Sequence, residues 1–366
     1  MTKATLLLTV LFFASSLSGI VQIKDHDHGL ELTTFYGTMI IDDPVIIELI
    51  RHPSFERLKH LYQYGVMRHA RTEPKFTRYQ HSLGVFFLTK KFGAPLSEQI
   101  SALLHDVSHT VFSHVGDKFF RSMHHAGKDS YQDEIHEWYL EKTGITSILH
   151  KYNYDTICSA KEKKRQPCLE QKLPDLCTDR IEYNLSGAFI DDLITPAEIV
   201  ELLDTIEFKD RTWFFNDVKA AKTFGLLSLY LCENRWGSAW GTFVDHNAAE
   251  ALRRAVECNL LTHNDIHFST DDVVWKKLCT ADDPIIAEHI RCIQQCESCF
   301  RIADQEEMHL HLRGRFTGTD PLVMQQGELH RLTEIDSAYA EEFHRVKNLI
   351  AQGWKIQPIC SLSASL

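Results

Sequence analysis

Leu103-Leu104-His105-Asp106-Val107-Ser108-His109, running on to Phe112-Ser113-His114-Val115-Gly116-Asp117, is the stretch that decides the fold. It sets an imidazole beside a carboxylate at the end of the apolar run Ala102-Leu103-Leu104. Burying both groups there is costly unless they are paired or hold a metal. Adjacent side chains on a helix diverge by about 100°, so His105 and Asp106 share one ion only if it sits against the helix edge, with further ligands from other helices. His81, in Arg78-Tyr79-Gln80-His81-Ser82-Leu83-Gly84-Val85, opens a helical run leading back to this region and is a ready third ligand. A fourth is needed to complete the shell or to leave an open position. His109, one turn after His105 if the helix continues, lies on the same face and reaches a substrate without being a first ligand.

The rest of the composition fits such chemistry. The chain has 366 residues, 44% hydrophobic and 24% charged, enough for one large domain or two ordinary ones. Disorder, collagen and coiled coil are thereby excluded as the main state. The 39 Lys and Arg against 50 Asp and Glu give a net charge of −11 without a long run of one sign, so general nucleic-acid binding is not expected. The 21 His are the unusual feature, imidazole being the commonest metal ligand and the usual acid or base near neutral pH.

Residues 1–20 have the layout of a signal peptide: Lys3, an apolar run from Leu6 to Ala14, then small polar residues ending Ser18-Gly19. The run falls short of the roughly 20 residues a membrane span needs, so none is expected in the mature chain. A buried N-terminal element or an upstream start codon are the alternatives. The 10 Cys do not settle the compartment, since the spacings around Cys158, Cys168 and Cys177 lack the density of a disulfide scaffold. Cys292, Cys296 and Cys299 have a spacing that can hold an iron–sulfur cluster, but it is also one face of a helix over Ile285 to Ala303, which favours core cysteines.

Strand signals are confined to Thr33-Thr34-Phe35-Tyr36 and Thr38-Met39-Ile40-Ile41, which predict a small N-terminal β-hairpin. From Pro44 onward the periodicity is helical, at 81–92, 97–104, 130–142, 174–185, 196–203, 216–234 and 245–261. The expected architecture is mainly α: a helical bundle with that hairpin and additional C-terminal helices, divided into a metal-binding core over 21–205 and a helical region over 206–366 packed on it.

With Phe55-Glu56-Arg57-Leu58, the His81 and His105-Asp106 segments and Asp179-Arg180-Ile181-Glu182-Tyr183 in this order, the chain resembles the HD-domain metal-dependent phosphohydrolases, in particular the deoxynucleoside triphosphate triphosphohydrolases. The resemblance covers roughly residues 25 to 260. It implies His81, His105, Asp106 and Asp179 as ligands of one divalent metal; two imidazoles and two carboxylates do not distinguish Mn, Fe, Zn, Ni or Mg. Asp179 is also well placed for an ordinary N-cap. By the same resemblance His109, His114 and Asp117 belong to the catalytic pocket, and Arg78, Arg180 and Tyr183 contact phosphate and sugar. His114 has a structural alternative, capping its own turn. Further on, Arg235, Trp240 and His246 fall loosely where the family places an arginine, a tyrosine and a histidine, His246 being a substrate candidate. The implied substrate is a nucleotide or other phosphorylated small molecule, and a homo-oligomer is compatible.

One position departs from the family pattern. A His-Glu pair is expected after the Phe-Ser-His segment; here Glu134 matches, but Asp133 stands where the histidine belongs. The sequence therefore leaves open a phosphodiesterase or monophosphatase on the same site, or a non-enzymatic nucleotide sensor. The signal-like segment points to export, whereas the family resemblance points to the cytoplasm.

Overall fold

Every residue from Arg78 to Thr89 is buried, so the helix Arg78–Lys91 runs through the protein rather than over it. Its start is fixed by Thr77, whose hydroxyl accepts from the Gln80 amide while Gln80 Oε1 accepts from the Thr77 amide at 2.9 Å. The computed structural model describes residues 21–71, 75–123, 130–157, 165–304 and 310–359. The signal-like residues 1–20 lie outside the described residues, as do His124, His125, Cys158 and His309.

The elements that position the site are helices α1 (Pro44–Ile50), α2 (Arg78–Lys91), α3 (Leu96–Leu104), α4 (Val115–Met123), α5 (Thr178–Ile190), α6 (Val218–Leu231), α7 (Ala239–Glu257), α8 (His263–Phe268), α9 (Asp271–Cys279) and α10 (Pro284–Gln294). α2 packs against α3 and α5, α5 against α6, and α7 against α4 and α10. One core of Leu, Ile, Val and Phe side chains runs through them, from Leu30 and Leu32 to Val346 and Ile350. Among the described residues no helix is long and apolar enough to cross a membrane.

The mainly α expectation holds, but the β content is larger than a hairpin. At the N-terminus β1 (Gln22–His26), β2 (Gly29–Thr34) and β3 (Gly37–Ile41) form a three-stranded antiparallel sheet, with Leu30 opposite Ile41 and Leu32 opposite Met39. β1 escapes sequence reading because it has no apolar alternation; its outer residues are exposed, and backbone pairing from Gln22–Thr33 to His26–Gly29 holds it. The C-terminal region is likewise not helices alone. β4 (Ile206–Lys209), β5 (Thr212–Phe215), β8 (Leu322–Gln325) and β9 (Glu328–Arg331) make one sheet, and β6 (Phe300–Ile302), β10 (Trp354–Pro358) and β7 (Leu310–Leu312) another. Strands of three to five residues are too short to establish a period of two. The predicted helix over Ile285 to Ala303 accordingly ends at Gln294, resumes for one turn at Cys296–Cys299 and becomes β6. Cys292, Cys296 and Cys299 are buried and none is in a disulfide.

Candidate metal centre

α3 stops where the chemistry begins. Leu104 is its last residue, His105 is the C-cap, and the chain turns through 105–108. Leaving the helix frees His105 and Asp106 from the divergence that consecutive helical positions impose. Their side chains meet, His105 Nε2 lying 3.5 Å from Asp106 Oδ1. α2 contributes His81, whose Nε2 is 3.1 Å from His105 Nε2 and 3.5 Å from Asp106 Oδ2. α5 contributes Asp179, whose Oδ1 is 3.1 Å from His81 Nε2 and 3.5 Å from His105 Nε2. Asp179 sits inside the first turn of α5 with Cys177 at the N-cap, so its carboxylate serves the cluster and not the helix end. Donor atoms 3.1 to 3.5 Å apart are spaced as neighbouring ligands of one cation held at about 2.1 Å.

Both imidazoles are oriented for ligation. His81 Nδ1 is hydrogen-bonded to the Glu182 carboxylate, and His105 Nδ1 donates to Ala102 O at 2.8 Å, which leaves each Nε2 lone pair for the centre. Glu182 is fully buried and is fixed by the Tyr36 hydroxyl, which donates to Oε1 at 3.2 Å. Asp106 is held by buried Arg78, whose Nε donates to Ser113 Oγ at 2.8 Å. Three carboxylates, Asp106, Asp179 and Glu182, thus meet one guanidinium, and the excess negative charge calls for a cation. His81 responds to the same field: burial pulls its pKa down, but Glu182, Asp179 and Asp106 outweigh it and push it up to about 10. The same cluster's imidazoles hold Asp179 well below the usual carboxylate range despite its burial. His81, His105 and Asp106 stand close enough together to hold one divalent ion, and Asp179 borders them with Oδ1 3.1 Å from His81 Nε2.

Around the cluster the other expected residues divide. His109 reaches Asp106 rather than His105, with Nε2 3.2 Å from Oδ1, and its Nδ1 is buried without a hydrogen-bond partner among the described residues. Burial, then the Arg78 charge, lowers its pKa to about 4, so the imidazole is neutral at pH 7. His114 stands edge-on to the His109 ring at 5.1 Å and its Nδ1 is 3.1 Å from Asp117 Oδ2; its side chain is 60% exposed. Burial raises the Asp117 pKa, but the bond from His114 and the His114 and His109 charges outweigh it, leaving about 2. Arg180 turns away from the cluster, donating to Gln171 O at 3.2 Å and to Asp175 O. Tyr183, one turn beyond Asp179, packs edge-on against Trp236 at 5.6 Å. His246 is on α7 beside Asp245, which pairs with Lys118 of α4 at 3.1 Å. Arg235 is paired with Asp191, and Trp240 lies under the Arg71 guanidinium at 4.1 Å. Asp133 is exposed and accepts from Ser130 Oγ at 2.5 Å.

Glu182, Tyr36 and Ser113 support the cluster without a role that sequence reasoning predicts. Glu182 and Ser113 stand inside quoted motifs, three residues after Asp179 and one before His114, which is the signal that marks them; Tyr36 carries none.

Residues 78–185 match the HD domain. The chain thus contains an HD domain over these residues. It is similar to protein YdhJ of Bacillus subtilis, 36% identical over 198 residues, which are 54% of this chain and 59% of that one; the match thus spans less than two thirds of that relative. The metal-dependent phosphohydrolase cns2 of Cordyceps militaris is 26% identical over 84% of this chain and 88% of its own. The deoxynucleoside triphosphate triphosphohydrolase SAMHD1 of Bos taurus is 32% identical over 92 residues, 21% of this chain and 16% of its own. A crystal structure of a phosphohydrolase from Bacteroides thetaiotaomicron shares the fold, with a TM-score of 0.65 at 14% identity over 93% of this chain and 99% of that one.

Proposed function

We propose that this chain hydrolyses a phosphate ester or anhydride of a nucleotide, in the manner of the deoxynucleoside triphosphate triphosphohydrolases. The observation that carries the reading is the meeting of His81, His105 and Asp106, a group able to hold a metal, with Asp179 beside His81 and a buried, neutral His109 on Asp106. A divalent ion bound there supplies a Lewis acid for a phosphoryl oxygen and a water of lowered pKa. Glu182 and the Ala102 carbonyl fix the imidazole tautomers, and Arg78 holds the Asp106 carboxylate in place. His109 moves a proton through Nδ1, which has no hydrogen-bond partner among the described residues, and exposed His114, oriented by Asp117, passes one beside it. Tyr183 and His246 are the candidate contacts for the nucleoside. Arg180 serves the site by fixing the loop before Asp179 through Gln171 O and Asp175 O. The nucleotide assignment is supported by the motif resemblance and by the similarity to SAMHD1 over 92 residues.

A second reading, a monoesterase or diesterase on the same centre, is favoured by Asp133, whose carboxylate is engaged with Ser130 where the triphosphohydrolase pattern has a histidine. One experiment tests both. The Mn2+-loaded protein is given dNTPs, nucleoside monophosphates and cyclic nucleotides, and products are separated by chromatography. Release of triphosphate from a dNTP is the expected result; release of inorganic phosphate or ring opening favours the second reading, and no product from any of them overturns both.

A further inference from the structure

Three contacts tie the junction between α8 and α9 to the turn that carries His109. Val111 N donates to Ile266 O at 3.0 Å. Arg57 bridges the two segments, its Nη1 and Nη2 donating to His109 O at 3.1 and 3.0 Å and its Nε to Phe268 O and Ser269 O at 3.2 and 2.8 Å. Asp271, with no exposed surface, accepts from Phe112 N at 2.7 Å through Oδ1 and from Tyr62 N at 2.8 Å through Oδ2. A buried carboxylate that accepts two backbone amides from chain segments 50 residues apart is a clamp between them.

What it clamps is a strained turn. Phe112 and Ser113 have φ of 57° and 56°, a left-handed conformation that side-chain-bearing residues hold only where the surroundings enforce it. Held there, Ser113 Oγ donates to Tyr62 O at 2.9 Å and accepts from Arg78 Nε at 2.8 Å, and Arg78 in turn holds Asp106. On its other side the clamp fixes Tyr62, which pairs with Thr77, the cap of the helix bearing His81.

We infer that Asp271 is a positioning residue of the metal centre: through the Phe112–Ser113 turn, Ser113 Oγ and Arg78, it sets where the Asp106 carboxylate stands. It lies outside the HD-domain match over 78–185. The inference rests on the hydrolase reading above only for its kinetic test.

The test uses the full chain and the substitutions Asp271→Asn, which puts an amide N–H2 where an acceptor is needed, and Ser113→Ala, which cuts the relay one step on. Two readouts are taken: kcat and KM on the nucleotide the wild type turns over, and the visible absorption of the Co2+-loaded protein. Asp271→Asn is expected to lower kcat about tenfold or more while KM stays within about twofold, to alter the Co2+ spectrum, and to be non-additive with Ser113→Ala. A folded Asp271→Asn protein with wild-type kcat and spectrum overturns the inference. If that variant does not fold, Ser113→Ala decides: a lowered kcat with an altered spectrum supports the relay, and wild-type values overturn it. If the wild type hydrolyses no phosphate compound, the hydrolase reading fails, and the Co2+ spectra alone decide the position of Asp106.

Discussion

The backbone of Gly84 and the carboxylate of Glu182 occupy space that a side chain on α2 would fill: a Cβ at Gly84 would stand 2.6 Å from Glu182 Oε1 and 2.9 Å from its Cγ. The glycine is one turn after His81 on the same helix. Its missing side chain is what lets α5 bring Glu182 to His81 Nδ1.

Gly84→Ala separates two effects of opposite sign. Helix propensity alone favours alanine by about 1 kcal/mol at a mid-helix site. The contact with Glu182 acts against it, because the carboxylate must leave His81 or the helices must part. Loss of an outer partner of a ligating histidine typically costs about 10-fold to 100-fold in metal affinity. The expected outcome is affinity for Mn2+ or Co2+ weakened at least about tenfold, measured by calorimetric titration. Wild-type affinity together with a raised Tm would show that Glu182 does not orient His81.

Asp106→Ala removes a ligand and also strands Arg78, which is 2% exposed. Breaking a buried pair by deleting one partner costs about 3–5 kcal/mol. The variant is therefore expected to lose both metal and Tm. Asp106→Asn keeps an acceptor for Arg78 and so is expected to lose the metal with a smaller drop in Tm. Metal per chain after desalting, measured by plasma mass spectrometry, checks the first point and calorimetry the second. A wild-type metal content in Asp106→Ala would remove Asp106 from the ligand set.

That His81, His105 and Asp106 come together was legible because buried imidazole and carboxylate in apolar runs have few reasons to exist; Asp179, 3.1 Å from His81, was marked only by its motif. The path from them outward was not. Glu182 faces His81 only because α5 lies along α2 with a glycine at the contact, which is a property of two helices together. Asp271 and Tyr36 enter from segments 235 residues apart, and nothing local distinguishes either from an ordinary helix start or core tyrosine. The sequence spacing predicts His109 one helical turn from His105, yet α3 ends at Leu104, and the turn that follows delivers it to Asp106 instead. Arg180 carried a phosphate-contact expectation from its motif, but its guanidinium meets the loop carbonyls of Gln171 and Asp175 first.

His109→Gln tests the proton-transfer role without disturbing the ligands. Glutamine can still donate to Asp106 Oδ1, which His109 Nε2 approaches at 3.2 Å. It has no ring nitrogen at the position of Nδ1, which has no hydrogen-bond partner among the described residues. General acid–base assistance contributes about 10²-fold to 10⁴-fold, so kcat is expected to fall by at least about 10²-fold with metal content unchanged. Stopped-flow or steady-state assays beside a metal measurement on the same sample decide it. A fall in activity that tracks lost metal would make His109 a support of the centre.

Acid lability is expected to come from histidines outside the centre, and His267 shows the sign. It is 8% exposed, stacks on Phe120 at 5.0 Å, and its Nε2 is 2.8 Å from the Tyr131 hydroxyl. Burial, followed by the His263 charge, lowers its pKa to about 4. Burial likewise lowers His69 and His289 to about 4. An unfolded chain takes up these protons near pH 6.5, the folded one only near pH 4, so the unfolded state binds more protons between the two. The contribution of these three histidines to stability is then flat above about pH 6.5 and falls as the pH drops toward 4. His267→Gln retains an acceptor for Tyr131 and cannot charge. Its Tm should fall less steeply than the wild type over that interval, with both proteins in chelator so that metal loss does not contribute. Parallel Tm–pH curves for the two proteins would mean that His267 is not held neutral by the fold.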